Sequence, residues 1–359
     1  MPTLAVAEAL RAKLPGVELL YIGSMRAEDR QLVESAHIEF RAIHAGKLRR
    51  YLSWENVVDS FRFLQGIREA RRILRTFGPQ VVFAKGGFVS LPVVMAAKQL
   101  DIPVVVHESD SQLGLANKLA LRSAKKLAVA WPVQTYWQTE PSLGRYADKF
   151  IYTGLPIVKE LTNWRAGQLF NNDRPVLLVT GGSQGARSLN EVVWGVLPRL
   201  LRECNLVHQV GSLGIAEAET RKADLSPELQ SSYLPFEFDR NVFLSALHRA
   251  DLVISRSGSF VFELAALGKV AILVPLPGSA NDHQRRNAIA LSRDGAAVML
   301  SPELLNGEML VQTVKDLIID KEARQAMTEK IKVLGEQSLE AASIIAKLII
   351  DVASQSQIT

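Results

Sequence analysis

A single cysteine, Cys204, stands in 359 residues. It rules out an intrachain disulfide and any zinc cluster built on several thiolates, and it fits a reducing compartment. No apolar run reaches the ~18 residues that a membrane-spanning helix needs. Glu8 arrives too early in the chain for the apolar core of a signal peptide. The expectation is a soluble or peripheral protein. Two phosphate-binding fingerprints are also missing: no Gly-Lys-Ser/Thr closes a Walker loop, and no Gly-x-Gly-x-x-Gly follows a strand. There is no Asp-x-Asp pair of the kind that can hold a divalent metal. Its nearest match is Glu108 with Asp110, and no further carboxylate or histidine cluster accompanies them. We therefore expect neither a metal nor any other cofactor.

What is present is enough chain for two α/β domains, 48% hydrophobic and 22% charged, with no low-complexity stretch. The net charge of +5 is uneven: residues 1–157 carry +7 and the remainder −2. A basic half suggests an anionic partner, whether a membrane surface, phosphates or nucleic acid; a solvated basic face is the plainer reading.

Short apolar runs without polar alternation recur along the first half, as strands covered on both faces do. They are Val81–Ala84, Pro103–Val106, Leu127–Ala130 and Phe150–Tyr152, after an earlier run, Val17–Ile22, that ends at Gly23. Between them the spacing predicts helices over Pro2–Lys13 and Trp54–Phe77. The second has Val58, Phe61, Leu64, Ile67, Ile73, Leu74 and Phe77 on one face, and Gly78-Pro79 stops it. The rhythm restarts after Gly154-Leu155-Pro156 with Val176–Thr180, Leu206-Val207, Leu252–Ser255 and Val270–Pro275, and a helix is expected over Leu189–Leu201. Two such series predict two doubly wound Rossmann-like domains, residues 1–157 and 158–338, with a ligand cleft between them. A last helix over about 339–355 should pack back on the first.

Five segments carry chemistry. Gly181-Gly182-Ser183-Gln184-Gly185-Ala186 follows a strand and opens a helix. It suits either a phosphate at the helix N-terminus or merely a tight turn. Lys85-Gly86-Gly87-Phe88-Val89-Ser90 repeats the placement in the first half. Ser257-Gly258-Ser259-Phe260 opens another helix with Glu263 one turn inside, where a carboxylate can take a pair of sugar hydroxyls or simply cap the helix. Gln284 and Asn287 offer amides matched to sugar hydroxyls, or line a polar loop. His107-Glu108 ends the Pro103–Val106 run; His107 is either a satisfied strand-end histidine or a catalytic group.

Together these segments resemble the MurG family along nearly the whole chain. Further matches are Leu4–Glu8, Tyr21–Ser24, Gly46-Lys47-Leu48-Arg49-Arg50-Tyr51 and Gly114–Lys118. No single segment is specific; the set is. The resemblance implies the GT-B architecture and an inverting transfer of N-acetylglucosamine (GlcNAc). UDP-GlcNAc would be the donor, and the acceptor the C4 hydroxyl of undecaprenyl-pyrophosphoryl-MurNAc-pentapeptide, taking lipid I to lipid II. It implies donor contacts at Gly182, Ser183, Gln184, Gly185, Ser257, Gly258, Ser259, Phe260, Glu263, Gln284, Asn287 and Asp110. Acceptor contacts would come from Gly86, Gly87, Phe88, Ser90 and Asn117. Independently of the resemblance, the +7 charge and the cations interleaved with apolar and aromatic groups predict that Lys47, Leu48, Arg49, Arg50, Tyr51 and Trp54 meet the inner face of an anionic membrane. Nucleic acid is not an expected partner.

The match is not complete. Family members carry a strand and a Gly-Gly-Thr-Gly-Gly-His loop before the segment seen here as Met1–Leu4, so the chain reads as truncated at its N-terminus. That loop's histidine, a candidate base, has no counterpart, which leaves Glu108 and His107 as the candidates for proton transfer. The usual Glu-Gln-Asn reads Glu108-Ser109-Asp110, Val158 replaces an arginine, and Ser257–Glu263 is one residue short. A first strand in such a sheet is normally central, so its loss should open an apolar slot between two unpaired edges. Two other readings stay open: another GT-B enzyme (a diacylglycerol glycosyltransferase or a UDP-GlcNAc epimerase), or an inactive nucleotide-sugar-binding fragment.

Overall fold

The computed structural model describes residues 2–25, 27–46, 55–182, 185–279 and 282–355. The chain divides into two compact units, residues 1–158 with 337–359, and residues 159–336.

Among the described residues the first unit holds six strands: β1 (Leu20–Gly23), β2 (Glu39–Ala42), β3 (Val82–Ala84), β4 (Val104–Glu108), β5 (Lys126–Val129) and β6 (Phe150–Tyr152). They form two separate parallel sheets, β1-β2 and β3-β4-β5-β6. β4 and β5 are buried along almost their whole length, which is why they read as unbroken apolar runs. β2 alternates Glu39, Phe40, Arg41 at a sheet edge, with only Phe40 buried, so no apolar run marked it.

β1 and β3 each pair on one side only. Between them lies a cavity of about 430 Å³ lined by Leu19–Gly23 and Val81–Ala84. Val6, Ala7 and Leu10 of the helix Pro2–Lys13, Leu74 and Phe77, and Ile349 and Ile350 close its walls. β1 and β3 thus line one largely apolar space and belong to separate sheets.

The last helix runs from Lys321 to Gln355 as one piece, longer than the segment expected from about residue 339. Its final turns belong to the first unit, where Ile345, Ala346, Leu348, Ile349 and Val352 pack with Val6, Leu10, Val105 and Ala128. Ser338 Oγ accepts from Leu155 N at 3.4 Å and Gln337 Nε2 donates to Tyr152 O at 3.2 Å. Gly154 allows that approach: at φ 76°, a side chain there would lie 2.8 Å from the backbone of Gln337.

The second unit is one six-stranded parallel sheet in the order β12-β11-β10-β7-β8-β9. The strands are β7 (Val176–Thr180), β8 (Asn205–Gln209), β9 (Tyr233–Phe236), β10 (Leu252–Ser255), β11 (Ala271–Leu273) and β12 (Val298–Met299). β9 carries Pro235, which an edge strand tolerates because its missing N–H can face outward. The helix expected over Leu189–Leu201 is two helices, Arg187–Gly195 and Leu197–Glu203, broken at Val196. Pro198 explains the break: it has no N–H to give, and its ring collides with the carbonyl four residues back.

Helix Glu55–Phe77 also departs from expectation. Ile67 and Leu74 of the predicted apolar face are buried, but Phe61 is 70% and Leu64 53% exposed.

Candidate functional site

In the second unit the polar loops gather at the carboxyl ends of β7, β10 and β11, where parallel sheets bind ligands. Gly182 and Gly185 take φ of 90° and 75°. A side chain on Gly185 would sit 2.4 Å from Val210 O, and one on Gly181 2.3 Å from Ala186 Cβ, so this turn closes only with glycines. Gly185 N donates to Gly182 O at 2.8 Å, and Gly182 N to Thr180 Oγ1 at 3.2 Å. Helix Arg187–Gly195 follows, and no side chain caps its first turn. Ser183 and Gln184 lie outside the described residues.

A buried relay supports this helix from below. Trp194 Nε1 donates to Tyr233 Oη at 3.2 Å, and Tyr233 lies 3.2 Å from His208 Nδ1. His208 Nε2 meets Asn190 Oδ1 at 3.1 Å, and Asn190 Nδ2 donates to Val210 O at 3.0 Å. The relay is satisfied with a neutral imidazole, and burial pushes the His208 pKa down to about 3.

At the end of β10, Arg256 donates from Nη1 to Val274 O and Pro275 O at 3.0 and 2.9 Å, and from Nη2 to Ser188 Oγ at 3.1 Å. Ser257 is buried and donates to Gln284 O at 2.7 Å. Gly258, Ser259 and Phe260 reach the surface of the loop. Glu263 follows in the first turn of the helix Phe260–Ala266. Its carboxylate is half-buried, and burial raises its pKa. Gln284 Oε1 accepts from Leu276 N at 2.9 Å. Asn287 has no exposed surface, and its Nδ2 donates to Ser257 O at 3.0 Å. Its place is under the loop, holding Ser257, which corrects the expectation of a direct sugar contact. Sequence reasoning placed Phe260 here but missed its aromatic neighbours: Phe238, 51% exposed, Phe243 and Phe260 lie in a tilted series, with ring centroids 6.2 and 5.7 Å apart.

In the first unit, Lys85, Gly86 and Gly87 leave the end of β3, the glycines at φ 93° and 84°. Phe88 is half-buried, and Ser90 Oγ donates back to Gly87 O at 2.9 Å. A side chain on Gly86 would come 2.7 Å from Asn117 Nδ2, so this loop lies directly on Asn117. Asn117 is buried, and its Nδ2 donates to His107 O at 3.1 Å and Glu108 Oε2 at 2.8 Å. Glu108 Oε2 also accepts from Gly114 N at 2.9 Å, and Oε1 from Asp110 N at 3.0 Å.

This geometry revises three assignments. Glu108 is 5% exposed with both oxygens taken by three donors, so it anchors the loop 109–117 and is no free base. Burial raises its pKa against the lowering effect of those bonds. His107 is fully buried with Nε2 3.2 Å from Gly154 O; burial lowers its pKa to about 4, and a neutral ring out of solvent reaches no substrate. Asn117 supports Glu108 and Gly86 and offers no amide to an acceptor.

Asp110 is different. Its backbone is pinned by Glu108 at N and by Tyr136 Oη at O (2.8 Å), while Trp131 Nε1 holds Ser109 O at 3.2 Å. Its side chain is half-buried at the surface of the loop. Lys85 lies close enough for Asp110 and Glu108 to hold its charge up against the burial that lowers its pKa. Among the described residues no three His, Cys, Asp or Glu gather as a metal site. Residues 47–54, the expected membrane segment, lie outside the described residues, and no described helix is long and apolar enough to cross a membrane.

Two α/β units of parallel strands, with glycine turns at the carboxyl ends of their sheets, make up the GT-B class of glycosyltransferases. Family models match both: the glycosyltransferase family 28 N-terminal domain over residues 1–129 and the C-terminal domain over 176–347. A protein of Lachnoclostridium phytofermentans is 37% identical over 320 residues, 87% of this chain and 85% of its own length. One of Listeria welshimeri is 34% identical over 354 residues, 97% and 95% of the two chains. Both bear the name UDP-N-acetylglucosamine–N-acetylmuramyl-(pentapeptide) pyrophosphoryl-undecaprenol N-acetylglucosamine transferase. The crystal structure of Acinetobacter baumannii MurG superposes with a TM-score of 0.72 at 26% identity, over 98% of this chain and 95% of that one. The chain belongs to the MurG family of glycosyltransferases.

Proposed function

We propose that the chain transfers GlcNAc, with inversion, from UDP-GlcNAc to the C4 hydroxyl of undecaprenyl-pyrophosphoryl-MurNAc-pentapeptide. The observation that carries this is the identity of 34% over 97% of the chain to a transferase of that name. It favours transfer to lipid I over epimerisation or glycosylation of diacylglycerol, and over a fragment that only binds.

The second unit is the donor side. The uncapped helix after Gly181–Ala186 suits the diphosphate, Glu263 the ribose hydroxyls and Gln284 the sugar. Exposed Phe238 suits the face of a base, as aromatic rings do. The first unit is the acceptor side, with the N–H groups of Gly86, Gly87 and Phe88 toward the pyrophosphate and Asp110 toward substrate hydroxyls. Inverting transfer needs a proton acceptor at the attacking hydroxyl and charge stabilisation at the leaving diphosphate. His107 and Glu108 are both committed elsewhere. Asp110 is the carboxylate at that sheet edge which a hydroxyl can approach.

The first unit also docks on the cytoplasmic face of an anionic membrane. Exposed Phe61 and Leu64, beside Arg62 and Arg68 on the helix that follows residues 47–54, support this reading. The test of function is turnover of labelled UDP-GlcNAc with lipid I in vesicles, run beside diacylglycerol and UDP-GlcNAc alone. Label in lipid II alone is the expected result; label in a glycolipid, or epimerised donor, overturns it.

A further inference from the structure

Arg256 is a permanent cation that the fold buries without an anion. It is 9% exposed. Its three described acceptors are two backbone carbonyls and a hydroxyl, all neutral. Its Nε is buried with no partner. Burial alone shifts its pKa, downward, with no carboxylate raising it. Three exposed arginines of this unit, by contrast, meet carboxylates: Arg240 with Glu160, Arg199 with Glu308 and Arg221 with Glu217. A guanidinium does not shed its proton, and a buried charge without a counterion is costly. Such a cost is retained where an arriving ligand removes it.

The position says which ligand. Arg256 ties together three loops at the carboxyl end of the sheet: its own after β10, the Val274-Pro275 exit of β11, and Ser188 in the first turn of the helix after β7. That helix has nine residues, an uncapped N-terminus and two left-handed glycines before it. The cation thus bonds the first turn of this helix, which no described side chain caps, beside the turn that only glycine can make.

We infer that Arg256 is the counter-charge for the diphosphate of the donor nucleotide, acting from beneath the loops it holds. This rests on the donor assignment above and deepens it. Arg256 is a positioning residue: its N–H groups serve the loops, and its charge serves the ligand across them. The negative charge that grows on the departing diphosphate during transfer then finds a cation already in place and shielded from water.

The test is calorimetric titration of the full chain and of Arg256→Met and Arg256→Lys with uridine, UMP and UDP. One unit charge acting across the loops corresponds to roughly a tenfold to hundredfold change in affinity. Arg256→Met should lose that much for UDP, less for UMP, and hold uridine within about threefold of the unaltered chain; Arg256→Lys should recover part of the UDP affinity. A merely structural clamp on these loops predicts equal losses for UMP and UDP and no recovery by Arg256→Lys, and either result overturns the inference. So does undiminished UDP affinity in Arg256→Met. Should Arg256→Met fail to fold, Arg256→Lys carries the same comparison, because a shortened and displaced charge still weakens UDP selectively. No UDP binding by the unaltered chain sinks the donor assignment itself.

Discussion

An extended apolar strand placed ahead of Pro2 should stabilise the first unit strongly. Among the described strands β1 pairs only with β2 and β3 only with β4, and both line one largely apolar cavity. A strand entering it and leading into the helix Pro2–Lys13 and then β1 would make a right-handed crossover, the favoured hand. Five valine or isoleucine residues buried there would contribute about 2 kcal/mol each, or ~10 kcal/mol. Ordering them costs about 1.5 kcal/mol per residue, some 7–8 kcal/mol in all. Roughly eight ladder hydrogen bonds, shared between the two edges, add about 0.5 kcal/mol or more apiece. The net is about 5 kcal/mol or more. For a unit of this size, 1 kcal/mol moves the melting temperature by about 2–4 °C, so a rise of ~10–20 °C is expected. The assay is differential scanning calorimetry of the chain with a fused strand and short glycine turn. A control of equal length carries lysines at alternate positions. A shift under about 2 °C, or an equal shift in the control, refutes the idea that the cavity is a strand seat.

Other predictions follow from the two sites. Glu263→Ala should weaken UDP binding at least tenfold while leaving the melting temperature nearly unchanged; wild-type affinity would remove Glu263 from the ribose. Glu108→Ala strands three donors, at about 1–3 kcal/mol for each left unsatisfied, so urea unfolding should show a loss of several kcal/mol; a selective fall in kcat without that loss would restore Glu108 as a base. Burial lowers the folded pKa of His107 to about 4 and of His208 to about 3, both below the unfolded 6.5. The unfolded chain therefore takes up protons first, and each histidine should cost about 1.4 kcal/mol of stability per pH unit from 6.5 down toward its folded pKa. Raised carboxylates such as Glu108 and Glu263 oppose part of this. Stability independent of pH between 7 and 5 would show the two rings are not held neutral. Co-sedimentation with anionic vesicles at low salt should exceed that with neutral vesicles or at high salt; equal pelleting in all four conditions ends the membrane reading.

Much of the fold was legible because burial leaves marks in composition. β7 and β10 are covered on both faces and so read as unbroken apolar runs. β2 and β9 are edges, one alternating with charge and one carrying Pro235, and periodicity passes over both. The glycine turns were legible for a similar reason: Gly185 stands 2.4 Å from a carbonyl at its would-be Cβ, and no other residue type fits. Polar residues were harder to place, because their type does not say which way they face. His107, Glu108, Asn117 and Asn287 have the functional groups that a sugar or a proton transfer needs. Each is turned inward to satisfy backbone groups that a sharp loop leaves over: Glu108 takes two N–H groups of its own loop, Asn287 the carbonyl of Ser257. A loop that presents ligand contacts cannot also satisfy all its backbone within itself, so some polar residues beside it must serve as its frame. Arg256 goes one step further. It frames three loops through its N–H groups while its charge meets no carboxylate among the described residues, and in the inference drawn above a bound diphosphate supplies that missing partner.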